Sequence, residues 1–384
     1  MEILIVLGAF QAIFFIVLVL SKKRKTISDK ILIFWLSIFA IHLAFVYYSF
    51  LSGHVFYIKY GYLPSGILVV YYSIMYVYAE SLISKKNIFK AKWILHLFPT
   101  VIIYISIIPL AQLSYEEKAN LVTHFTADLY QNFVFGIAIL FITIYLLATL
   151  RLLKKHNTSI QKIFSYEEDI SLNWLKILTF LLVLLWIVIS SLVTYVYYLD
   201  SKTSNVMLPE DHMILDIQGQ FAFVAFIFLL GFFGIRQQVI YSVSNRIKEY
   251  ATTEDKDIVN RPYRKSGLKK EDSAIYLKEL LLYMEEEKPY INGKLSLIEV
   301  AKKMNISNNH LSQVINENLK KNFFDFVNEY RINLVKQKMA EPSNKKYTLL
   351  SLAYDCGFNS KSSFNSIFKK HTSLTPTEYL KNIN

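Results

Sequence analysis

Asn309, Ser312, Gln313 and Asn316 are interleaved with Leu311, Val314 and Ile315, whose i, i+3, i+4 spacing makes one apolar face of a helix. The amides and the hydroxyl turn away from that triplet. Lys361, Ser362, Asn365, Ser366 and Lys369 stand in the same relation to Phe364, Ile367 and Phe368. An Asn or Gln amide can bond an adenine edge through two hydrogen bonds, and a Ser hydroxyl can serve several bases. Both faces therefore carry the chemistry of reading base edges in a major groove. Ser307 and Ser360 precede the two helices at N-cap positions, where free backbone N–H groups can also hold a phosphate. Lys369 offers a cation to the same backbone. The plainer alternative is a helical bundle whose polar faces are merely solvated.

The surrounding elements favour the first reading because they repeat. Leu297, Val300, Ala301 and Met304 are spaced i, i+3, i+4, i+7, and Leu349, Leu352, Ala353 and Cys356 restate that spacing 52 residues later. A short turn follows each set, Asn305-Ile306-Ser307 and Gly357-Phe358-Asn359-Ser360, and each turn leads into one of the polar-faced helices. Helix, tight turn and second helix is the pattern whose second member enters the major groove. Between the two units, Phe323 to Ala340 reads as one helix, with Phe323, Phe326, Val327, Tyr330, Val335 and Met339 at helical intervals. At about 1.5 Å per residue it spans roughly 27 Å. That suits readers in successive grooves about 34 Å apart. An amphipathic helix carrying Ile275, Leu277, Leu280, Leu281 and Met284 precedes the first unit. Residues 271–384 hold sixteen Lys or Arg against thirteen Asp or Glu, so phosphate attraction must come from local cations such as Lys302, Lys303, Lys345, Lys346, Lys369 and Lys370.

From about Leu295 to Leu380 the chain resembles the DNA-binding domain of AraC/XylS-type transcriptional regulators. The resemblance rests on LSLIEVAKKMNISNNHLSQVINENLKKNFFDFVNEYRI and LLSLAYDCGFNSKSSFNSIFKKHTSLTPTEYL. It implies seven helices, with two helix-turn-helix units joined by a long one. The base-facing positions of that family match Asn309, Ser312, Gln313, Ser362, Asn365 and Ser366. Lys320 and Ser373 stand where the family usually has glycine, so both helix ends must form without the easy left-handed residue. Ser366 stands where arginine is frequent. More loosely, YVYAESL, WILHLFP and RKSGL resemble a subgroup in which several spans precede this domain.

The first two-thirds is of another kind. The chain is 53% hydrophobic and holds 27 Tyr and 28 Phe. Apolar runs fall at 3–20, 31–51, 63–83, 94–112, 132–150, 174–199 and 213–235, each near the ~20 residues that cross a hydrocarbon core. Ser21-Lys22-Lys23-Arg24-Lys25 follows the first run with no cleavage site, which reads as a retained anchor. Lys and Arg crowd the loops near 21–30, 84–93 and 151–173, whereas Lys59, Lys118 and Lys202 stand alone in the others. By the positive-inside rule the N-terminus lies outside and everything after the seventh span lies in the cytoplasm. Gln11, His42, Glu80, His96, Asp216, Gln218 and Gln220 are the polar residues within these runs. Glu80 and His96 read as interfacial. Tyr71, Tyr72, Tyr76 and Tyr78 read as an interhelical aromatic stripe.

Cys356 is the single cysteine, which excludes an intrachain disulfide and a four-thiolate metal site. No pairing of residues supports a catalytic site, a metal or a cofactor. The expectation is an all-α protein: about seven transmembrane helices over 1–236, a cytoplasmic linker over 237–270 and an AraC-type DNA-binding domain over 271–384. Its function would be that of a bacterial inner-membrane transcriptional regulator. Its partners would be double-stranded DNA, membrane lipids and an unidentified signal, with a homodimer as one way to transmit that signal. The alternatives are a transporter or intramembrane enzyme carrying a regulatory DNA-binding domain, and a sensor kinase. The last would need a glycine-rich nucleotide lid, and the soluble half has no such cluster.

Overall fold

The structure, a computed structural model, describes residues 2–52, 54–60, 65–84, 87–118, 129–168, 170–184, 209–236, 268–344 and 346–383, together with Leu63, Ile187 and Ser191. The fold is all-α. Among the described residues the one β contact is an isolated antiparallel bridge between Phe164 and Ser296. The chain divides into two compact units, 1–154 with 172–241, and 155–171 with 242–384.

Five described helices are long and apolar enough to cross a membrane: Glu2–Leu20, Ile27–Ser52, Gly66–Ile83, Ala91–Gln112 and Gly136–Gln161, the last running past the end of the first unit at 154. The run expected at 174–199 shows a shorter described apolar helix, Asn173–Leu184, whereas that at 213–235 falls within the helix Pro209–Arg236, whose apolar stretch is Phe223–Arg236. The helix Glu2–Leu20 buries Ile5, Ala12, Phe15 and Val19 and leaves Ile3, Phe10, Ile13 and Val17 exposed. A helix apolar on its outer face as well as its inner one is suited to lipid. A Cβ on Gly8 would lie 2.7 Å from Val224 and 2.9 Å from Leu43, so the missing side chain lets three helices close up. Ala91–Gln112 is not one straight helix. A 3-10 turn over Ala91–Leu97 leads into Phe98–Ser106, and the helix Ile108–Gln112 restarts beyond Ile107. Pro109 explains the break, since it has no N–H and its ring clashes with the carbonyl four residues back.

Glu80, His96 and His42 have structural partners. The Glu80 carboxylate accepts from Lys90 Nζ at 3.0 Å and Trp93 Nε1 at 2.9 Å, and pairs with Lys92 at 3.0 Å. Nδ1 of His96 lies 3.1 Å from the Tyr145 hydroxyl, and Nδ1 of His42 lies 2.6 Å from that of Tyr71. Tyr71 stacks on Phe39 at 4.1 Å, and Tyr78 packs against Trp35, as expected of an interhelical stripe. Gln11 Oε1 is buried without a hydrogen-bond partner among the described residues. Asp216, Gln218 and Gln220 fall on the helix Pro209–Arg236, and the expected linker except for Leu268, Lys269 and Lys270 lies outside what is described.

The second unit holds Lys270–Glu286, Leu297–Lys303, Asn308–Leu319, Phe323–Ala340, Leu349–Asp355, Lys361–Thr372 and Pro376–Ile383. The connecting helix has the bounds its apolar spacing predicts. Asn322 caps it by accepting from the Asp325 N–H at 2.7 Å. Two cores flank this helix. Phe323, Phe326 and Val327 pack with Leu280, Val300, Leu311 and Ile315, while Phe324, Ile332 and Val335 pack with Leu352, Cys356, Phe364 and Phe368.

Candidate nucleic-acid interface

Each reader helix follows a turn whose paired helix-end bonds the structure repeats, the second turn being one residue longer. In the first unit, Ile306 N donates to Ala301 O at 3.0 Å and Asn305 N donates to Lys302 O. In the second, Phe358 N donates to Ala353 O at 3.1 Å and Gly357 N donates to Tyr354 O. These are the paired bonds of a Schellman helix end, which needs a left-handed residue at the turn. Asn305 (φ 56°) and Gly357 (φ 93°) occupy it. Ala301 and Ala353 are buried beneath the turns, where a larger side chain would push the two helices apart.

Both readers begin on the expected caps. Ser307 Oγ accepts from His310 N at 3.1 Å, and Ser360 Oγ accepts from Ser363 N at 3.1 Å. The first helix of each unit is capped as well: Ser296 forms a reciprocal capping box with Glu299, and Thr348 accepts from Ser351 N. At the far ends, Lys320 (φ 55°) and Ser373 (φ 63°) do adopt the left-handed conformation and close the helices onto Asn316 O and Lys369 O. Both carry the steric cost that glycine would avoid.

The second reader presents Lys361, Ser362, Asn365, Ser366 and Lys369 as one exposed face, with Phe364, Ile367 and Phe368 buried behind it. The first reader is less uniform. Asn309 is exposed, whereas Ser312 and Asn316 are half-buried, and Asn316 Nδ2 is turned back onto Ser312 O at 2.8 Å. Gln313 departs from the expected exposed position. It is 8% exposed, its amide nitrogen donates to both oxygens of Glu317, and its Oε1 has no partner among the described residues. The cause is its place beside Val314, between the apolar stripe and the polar face. To meet a base, Gln313 would have to leave Glu317. Of the expected cations, Lys370 pairs with Asp325 at 2.6 Å and Lys303 lies 3.8 Å from Glu287, so Lys369 is the better placed of the neighbouring pair 369–370 for a phosphate.

The sequence reading attached no role to Arg331, which proves to be the joint of the unit. It is 1% exposed in the middle of the connecting helix. Nε donates to Tyr290 O at 2.8 Å, and Nη2 donates to Asn292 O and Ser165 Oγ, both at 2.9 Å. Nη1 donates to Ser165 O at 2.8 Å and to Asn328 Oδ1 at 3.2 Å. All five guanidinium donors are thus met by neutral oxygens. Burial brings its pKa down to about 10, with the Glu168 charge acting the other way. The turn residue Gly357 packs against this same joint, and Asn359 Nδ2 donates to Gly293 O at 2.7 Å. The turn of the second reader is therefore tied to the segment that leads into the first. The available signal was a charge at position 331 midway between Val327 and Val335, on an otherwise apolar stripe. Burial also raises the Cys356 thiol to about 11, which makes it a core residue and a poor nucleophile.

Residues 300–382 match the model of a family of helix-turn-helix domains, a stretch that takes in both readers and the helix between them. No curated protein and no solved structure matches the chain.

Proposed function

We propose that the AraC-type helix-turn-helix domain carried by residues 300–382 belongs to a membrane-embedded bacterial transcription regulator, which reads two successive major grooves and answers to a signal received by its apolar helices. The observation that carries this reading is the tandem turn: two Schellman ends with matching bonds, each aiming a helix with a polar outer face. In this reading 1–236 is the membrane domain, 237–270 a cytoplasmic tether and 271–384 the DNA-binding domain. The five apolar helices support a membrane location. The loop charges favour a cytoplasmic C-terminus in the inner membrane. Asn309, Ser312, Gln313, Asn316, Lys361, Ser362, Asn365 and Ser366 are the proposed base readers, and Ser307, Ser360 and Lys369 the proposed phosphate contacts. A homodimer would place two such domains on adjacent sites, and a signal acts by binding its two states unequally.

Genome-wide occupancy of the intact chain tests the reading. Asn309→Ala with Gln313→Ala, and Ser362→Ala with Asn365→Ala, should each sharply reduce sequence-selective occupancy, since a lost bidentate contact removes about 1–3 kcal/mol of discrimination. Equal occupancy for the intact chain, both variants and an empty control would sink it.

A further inference from the structure

The oxygens that meet Arg331 come partly from far away in sequence. Ser165 belongs to the loop that joins two apolar helices, Gly136–Gln161 and Asn173–Leu184, yet it falls in the same compact unit as the readers. Five hydrogen bonds anchor it there. Its N–H and its hydroxyl both donate to Leu295 O, at 3.2 and 2.8 Å, while its carbonyl and its hydroxyl oxygen accept from Arg331. Ile163 O accepts from Leu297 N at 2.8 Å. That N–H opens the first helix of the first unit and has no acceptor within its own helix. Asn328 Nδ2 also reaches Ser165 O, at 3.2 Å. The loop is therefore built into the joint between the readers. Ser165 is 1% exposed, and Phe164 packs with Ile160 and Ile170 into a small core of the loop itself.

Three residues on, the Glu168 carboxylate lies 3.3 Å from Ser360 Oγ, the cap of the second reader. A helix N-terminus carries partial positive charge and free N–H groups, which attract either a carboxylate or a DNA phosphate. An acid already at that cap opposes the phosphate. We propose that residues 162–168 form a clamp that seats in the joint at Arg331 and, through Glu168, holds the second reader away from the DNA backbone until the apolar helices draw the loop out. This inference rests on the DNA-binding reading above.

Phe164 and Ser296 are a non-hydrogen-bonded antiparallel pair, with bonds flanking them from Ser165 to Leu295 and from Leu297 to Ile163. Such pairs bring Cα atoms to about 4.5 Å, within the range a disulfide needs. The test uses the full chain in lipid nanodiscs with Phe164→Cys and Ser296→Cys together, oxidised and then reduced, against sheared genomic duplex DNA. The two single-substitution variants, each keeping the native Cys356, serve as controls. The expected results are a cross-link absent from the single variants and DNA binding about 10-fold weaker in the oxidised sample than after reduction, equivalent to about 1.4 kcal/mol. Glu168→Gln, which leaves the backbone contacts in place, should strengthen DNA binding about two- to five-fold, the worth of one partly exposed charge contact. No cross-link would overturn the docked loop. A cross-link with unchanged DNA affinity, or an unchanged Glu168→Gln variant, would overturn the opposition to DNA. A cross-linked chain that binds no DNA even after reduction would overturn the DNA-binding reading instead, with the docked loop left standing.

Discussion

Gly357→Ala should destabilise the second unit by about 4 kcal/mol, the sum of a left-handed backbone penalty and an overpacking cost. The residue sits at φ 93°, a conformation that L side chains rarely adopt. A Cβ there would lie 2.4 Å from Tyr290 O, 2.8 Å from Ile291 O and 3.0 Å from Arg331 Nε. Two of these are backbone atoms, and the third is locked by its own hydrogen bond, so no neighbour can yield cheaply. The effect should be local to the unit, because the strain falls between the turn of the second reader and the segment before the first. Native-state hydrogen exchange on the intact protein in detergent would show it. Amides of the helices within 300–382 should open about a thousand-fold more often. Unchanged exchange would mean the turn is not held as described.

Arg331→Met should cost about 3 kcal/mol by the same measurement. Methionine fills much of the volume but donates nothing, and Tyr290 O, Asn292 O and Ser165 O would each lose a charge-assisted donor in a closed site. Arg331→Lys tests the shape of the group more sharply. Lysine keeps the charge, but a single ammonium cannot span acceptors arranged around a planar fork. It should restore no more than about half of the loss. Full stability in either variant would show that the guanidinium is not the joint.

Local pattern revealed much of this molecule. The connecting helix was legible to its end residues from apolar spacing, and the Asn322 cap found in the structure fixes the same start. The two turns were legible because the first-helix core positions recur 52 residues on, down to Ala301 and Ala353, and the reader triplets 53 residues on. The match over 300–382 bears out the AraC-type resemblance. Burial of individual polar groups was harder to read. Gln313 lies at the edge of its helix face, where a turn of a few tens of degrees decides between solvent and core, and spacing cannot resolve that. Ser165 was illegible for a different reason. Its partners are 130 and 166 residues away, and such pairings leave no periodicity in the sequence. In the membrane unit the apolar runs were evident, but the bend at Ile107 follows from Pro109, a residue that the hydropathy of the run conceals.

The central claim is that two readers enter successive grooves on one face of a duplex. Hydroxyl-radical footprinting of the intact protein in nanodiscs, on DNA selected by that protein, tests it most directly. The account predicts two protected patches on the same face, about one helical turn or 34 Å apart. Ser362→Ala with Asn365→Ala should erase one patch, and Asn309→Ala with Gln313→Ala the other. Protection of a single patch in the unaltered protein, or of none, would contradict it.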